Sequence, residues 1–227
     1  MGEARNTAYL NFMLEQSVFG SYQDLTELDN FASNISIDFV IPLELISHWR
    51  RCGLIADFMA NYEALNFKNK ELAVSILSTT INELRENAIK FSSDKNKLVN
   101  LSVRSYTNQL IIETVNTTAE KHAKKLHNYL ELIQTDSAEN LFFKQIEENA
   151  CKPHTTCSEL GLLTLIKDYQ AVLGVKIQPK EIDDQQTYDV FVQITLNTKE
   201  IENQLNIIDA TIKTSRKKTK VKNCRSI

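Results

Sequence analysis

The stretch from Lys70 to Ser92 carries the repeat of a long two-faced helix, and that limits what its neighbours can be. At about 100° per residue, Asn87 lies about 40° to one side of Glu83 and Lys90 about 20° to the other. Ala73, Leu77, Leu84, Ala88 and Phe91 fall roughly 80° to 140° away from that stripe. Such a helix packs on one face and presents a carboxylate, an amide and an ammonium on the other.

The flanking segments predict what it packs against. Ile35, Ile37 and Phe39 alternate with Ser36 and Asp38 as a half-buried strand does, and Pro42 then opens a helix running towards Leu65. In that helix Leu45, Trp49, Cys52, Ile55, Met59 and Tyr62 recur at spacings of three and four and form the packing face, with His48, Arg50 and Arg51 on the wet sides. Beyond a polar break at Ser93–Lys97, Leu98–Ser105 and Leu110–Val115 read as an antiparallel hairpin.

Helices near Ala119–Ile133 and Ala138–Glu148 show no strong apolar stripe, so the region reads as a lid, with His122 and His127 as surface residues. Thr155–Leu173 reads as a helix with its approach. Thr155, Thr156 or Ser158 caps it, Leu162, Leu165, Ile166, Tyr169 and Leu173 form its buried face, and Gly174 stops it. A short strand, Val175–Gln178, and a longer alternating one, Gln186–Leu196, complete the pattern.

This order predicts an α+β fold, a two-layer α/β sandwich with a mixed sheet and helices on one face. Residues 1–33, with a short helix near Tyr9–Gln16, read as an N-terminal extension, 34–197 as the domain, and 198–227 as a C-terminal extension with a basic tail.

Composition removes several function classes. With 42% hydrophobic and 24% charged residues, the chain has the material for one good core. No apolar run approaches the roughly 18 residues that span a bilayer, and Met1–Asn6 lacks the apolar stretch of a signal peptide. Cys52, Cys151, Cys157 and Cys224 form no Cys-x-x-Cys pair, which predicts thiols in a reducing cytoplasm. Cys151, His154 and Cys157 lack a fourth zinc ligand at finger spacing. No Ser-His-Asp or Cys-His arrangement follows from the spacing. The net charge is −3, yet Lys213–Arg225 holds seven basic residues and no acid, which leaves −10 on the rest. Such a run reads as a solvated terminus, with nucleic-acid binding the weaker alternative.

Glu83, Asn87, Ala88 and Lys90 stand as Glu-x-x-x-Asn-Ala-x-Lys, and the chain resembles the GHKL ATPase superfamily over roughly residues 35–196. That superfamily includes histidine-kinase catalytic domains, gyrase-type ATPases and bacterial anti-sigma-factor serine kinases. Its second motif, a strand ending Asp-x-Gly-x-Gly, corresponds here to Asn116-Thr117-Thr118, with the amide of Asn116 in place of the aspartate and neither glycine present. Its third, Gly-x-Gly-Leu-Gly-Leu before a helix, corresponds to Cys157-Ser158-Glu159-Leu160-Gly161-Leu162, where Gly161 alone remains of the glycines and Glu159 adds a negative charge.

The resemblance implies a Bergerat-type site for ATP and Mg²⁺. Asn87 would ligate the metal, Lys90 and the Ser158, Gly161 and Leu162 loop would hold phosphate, and Asn116 would contact adenine. Glu83 would orient or deprotonate the attacking group as the catalytic residue. Closest are the anti-sigma-factor kinases and related partner-switching regulators. This implies a cytoplasmic bacterial signalling protein, paired as a homodimer, that binds a sigma factor or a STAS-domain partner and acts on it as a serine/threonine kinase. The alternative is a degenerate GHKL scaffold that binds no nucleotide and works by protein interaction alone.

Overall fold

The computed structural model describes residues 16–28, 35–42, 49–92, 98–151, 160–182, 185–203 and 206–207. The expected helix at 9–16 falls outside them but for its last residue, and His48, Ser93–Lys97, His154, Cys157, Ser158 and the basic tail lie outside altogether.

In chain order the elements are β1 (Ser17–Gly20), α1 (Leu25–Leu28), β2 (Ile35–Pro42), α2 (Trp49–Glu63), a 3-10 turn (Ala64–Asn66) and α3 (Lys70–Phe91). There follow β3 (Leu98–Ser105), β4 (Gln109–Ala119), α4 (Glu120–Thr135), α5 (Ala138–Cys151), α6 (Leu160–Tyr169), β5 (Val172–Ile182) and β6 (Gln185–Asn197). The fold is α+β, with six strands in the order β1-β5-β6-β4-β3-β2. Every neighbouring pair is antiparallel, so the sheet is not mixed as the pattern predicts. The reason lies in the second hairpin. Its far strand β6, rather than β5, lies beside β4, so the helical crossover from β4 reaches a strand of the same sense two positions away, with β6 between them.

One face of the sheet is apolar: Val99, Leu101 and Val103 of β3, Leu110 and Ile112 of β4, and Val190, Ile194 and Leu196 of β6 are buried in the main core. Helix α3 lies along β4 on that face and α2 packs along α3. Asn69 starts α3 by accepting from Leu72 N–H at 3.3 Å, and Ser92 Oγ closes it by donating to Ala88 C=O at 2.7 Å. The buried apolar residues of α2, among those described, are Ala56, Met59 and Ala60, whereas Tyr62 is exposed and stacks on Phe58. Met59 and Ile55 pack as their spacing predicts, and the small side chains Ala56 and Ala60 beside them let α2 approach its neighbour.

The N-terminal segment read as an extension supplies the edge strand β1, paired to β5 with Gly20 opposite Gly174. Gly20 has φ +62°, and a Cβ on Gly174 would lie 2.5 Å from Tyr22 Cα. These two glycines let the chain leave β1 and cross the second sheet face. Gly174 therefore sits inside a strand and does not stop α6. That end is made by Gln170 at φ 52°, with Ala171 N–H donating to Leu165 C=O at 3.3 Å.

On the second face the crossing segment rests on a polar network. Gln193 Nε2 donates to Gln23 C=O and to Glu113 Oε2, while Gln23 N–H donates to Gln193 Oε1, all between 2.9 and 3.0 Å. Lys176 Nζ lies 4.2 Å from the Phe191 ring centroid and 3.2 Å from Asp24 Oδ2.

Candidate functional site

A cleft opens where the C-terminal half of α3 meets the end of β4. Asn87, Ala88 and Phe91 form one wall, and Asn116 and Thr118 project from β4. Gly161 and Leu162 contribute the first turn of α6, and Val190 and Val192 of β6 form the floor. The α3 stripe supplies Asn87, β4 carries Asn116 inward by strand alternation, and α6 brings Gly161 against α3. Thr118 Oγ1 donates to Phe91 C=O, which joins the end of β4 to the last turn of α3.

Four residues chosen from sequence, Asn87, Asn116, Gly161 and Leu162, thus line one cleft. Glu83 stands beside it: a Cβ built on Gly161 would lie 1.8 Å from Glu83 Oε2. The carboxyl is pushed up from its ordinary pKa by burial and by the charge of Glu86, against the pull of Lys90. Lys90 itself does not line the cleft; it is exposed, with Nζ 5.1 Å from the centroid of the neighbouring Phe91 ring. Ser158 lies outside the described residues.

Sequence reasoning missed the fourth wall, His122, Lys125, Leu126 and Tyr129 of α4. Contrary to the lid reading, α4 has an apolar stripe at Ala123, Leu126, Leu130 and Ile133, and it packs against the core. The stripe is narrow and begins with an alanine, which is why the polar composition of α4 hides it. His122 is not a plain surface residue. Its ring meets Phe91 edge-on at 5.9 Å and its Nδ1 is buried without a hydrogen-bond partner. Nor is His127, whose ring stands 4.9 Å from Phe19.

The chemistry of the cleft divides in two. At the β4 end the walls are apolar, and Asn116, 4% exposed, holds an Nδ2 without a hydrogen-bond partner. A flat heterocycle with an acceptor atom fits this half. At the α6 end the Glu83 carboxylate already lies against the helix start, where backbone amides and the helix dipole favour an anion. Phosphate does not fit that half while Glu83 stays there. Among the described residues no three His, Cys, Asp or Glu side chains cluster to hold a metal.

No protein-family model and no curated protein matches this chain. Among the described residues no helix is long and apolar enough to cross a membrane.

Proposed function

We propose that this chain is a signalling regulator whose GHKL-like domain takes a purine nucleotide in the α3/β4/α4/α6 cleft and acts through a protein partner. The observation that carries this reading is the convergence of Asn87, Asn116, Gly161 and Leu162, drawn from three separate sequence motifs, on one cleft. The base would lie between Leu162 and the β6 valines with its edge on Asn116. Asn87 would hold Mg²⁺ at the other end, and the nucleotide would supply the transferable phosphoryl group. Glu83 would have to leave Gly161 before phosphate or a partner hydroxyl could come near it. A partner surface is available on α2, where Leu54 and Phe58 are 64% and 54% exposed. By resemblance, the partner is a STAS-domain protein or a sigma factor, and a serine or threonine on the former would be the phosphoacceptor.

The second reading is a scaffold that binds no nucleotide. The position of the Glu83 carboxylate, which meets the anion-favouring helix start from within, favours it. Calorimetric titration with ATP and Mg²⁺, beside the Asn87→Ala variant, separates the two. Micromolar binding that disappears in Asn87→Ala supports the nucleotide reading, and silence up to millimolar ATP supports the scaffold.

A further inference from the structure

We propose that a second cleft, at the opposite end of the sheet, binds an organic cation: an alkylammonium or guanidinium group. It lies where the β3–β4 turn meets the connection from α2 to α3 and the helical turn at 198–203. Leu110 of β4 lines this cleft and Asn116 lines the other, so about 20 Å of strand separates them.

Two carboxylates carry the assignment. Glu63, the last residue of α2, is 2% exposed, and its Oε1 is buried with no hydrogen-bond partner. The only side-chain hydrogen bond acting on its titration is from Ser105, and burial pushes its pKa up against that contact. Glu202 repeats the pattern: Oε2 accepts from Lys68 N–H at 3.3 Å, while Oε1 is buried and unpartnered. A carboxylate oxygen held away from water without a donor is costly, and two of them on residues that line one cleft favour a ligand that brings both donors and positive charge.

The rest of the lining narrows the class. Phe67 and Tyr106 place aromatic rings in the wall, which suits an organic cation. A bare divalent ion suits it less, because among the described residues no third acidic, His or Cys ligand joins the pair. Lys68 and Lys199 also line the cleft, yet neither forms an ion pair with either carboxylate. The two Oε1 atoms are therefore not already used by the ammonium groups of the neighbouring lysines.

Two sources supply such groups: free polyamines, and the basic residues Lys213–Arg225 of this chain, which begin six positions beyond residue 207. The experiment titrates spermidine at low salt into two full-length chains. One is wild type, and the other has the seven basic residues of 213–225 changed to glutamine. Each is repeated with Glu63→Gln and with Glu202→Gln, two near-isosteric changes that back each other up. If the cleft takes a free amine, wild type binds spermidine and each substitution weakens binding by about tenfold or more. If the chain's own tail takes it, wild type is silent, the neutralised chain binds, and Glu63→Gln or Glu202→Gln removes that binding. Silence in both chains, or binding that neither glutamine substitution weakens, overturns the proposal.

Discussion

The Glu83 carboxylate lies against Gly161 so closely that a Cβ at 161 would come within 1.8 Å of Oε2 and 2.7 Å of Cδ. Both atoms belong to the free end of a flexible side chain, so Gly161→Ala should displace the carboxylate without breaking α6. Gly174 is the opposite case, since its Cβ would meet Tyr22 Cα at 2.5 Å and Tyr22 N at 2.6 Å, both backbone. Gly161→Ala should therefore cost less than about 1 kcal/mol, and Gly174→Ala about 2 kcal/mol or more. Denaturant unfolding of the two variants checks the contrast, and equal costs would mean that Glu83 is held rigidly in place.

The pH dependence of stability should be dominated by Glu113. Burial raises its pKa to about 7 against hydrogen bonds from Gln193 and Tyr22 and the charge of Lys176, with Asp24 adding to the rise. A carboxyl raised in the folded state favours folding fully below its unfolded pKa, near 4.5, where both states carry the proton. That contribution is lost as pH rises towards 7, because the folded state must then ionise a buried group. The loss amounts to roughly 3 kcal/mol. Glu113→Gln should flatten the stability profile between pH 4.5 and 7 and raise stability at pH 8. An unchanged slope in a pH series of urea melts would mean that the carboxyl is solvated when ionised.

Thr118 joins β4 to the last turn of α3 through its hydroxyl and Phe91 C=O. Thr118→Val keeps the shape and removes the donor, leaving a partly buried carbonyl unpaired. It should cost about 1 kcal/mol and speed amide exchange near Ser92, whose N–H donates to Ile89 C=O at 3.3 Å. Exchange rates that change only in β4 would show that the two elements are held together elsewhere.

The fold was legible where periodicity is strong. The α3 stripe, the β3–β4 hairpin and the alternation of β6 all emerge from spacing, because each buries large aliphatic residues on one side. Alanines and glycines hid the rest. The buried face of α2 adds Ala56 and Ala60 to the predicted Met59, α4 docks from Ala123 onwards, and the path of the N-terminal segment depends on Gly20 meeting Gly174, two positions that resemble turn signals when read alone. In the candidate site, Asn87, Asn116, Gly161 and Leu162, singled out by their spacing along the chain, line one cleft. His122 escaped because its role depends on a helix contact that no local pattern encodes.

Asn116 sets stability against binding. Its Nδ2 is buried without a hydrogen-bond partner in the free protein, an arrangement that costs about 1 kcal/mol or more. Asn116→Leu removes that group and should raise the unfolding free energy by about 1 kcal/mol while abolishing any nucleotide binding in the cleft. Asn116→Asp places an acceptor-only carboxylate at the same position. It should lower stability, because the new charge is buried beside the apolar β6 valines, and favour a base with an exocyclic amino group over one with a carbonyl there. Thermal melts and parallel calorimetric titrations with ATP and GTP read both effects. Were Asn116→Leu less stable than wild type, the amide would be hydrogen-bonded in solution, and the assignment of the β4 end of the cleft to a base would lose its support.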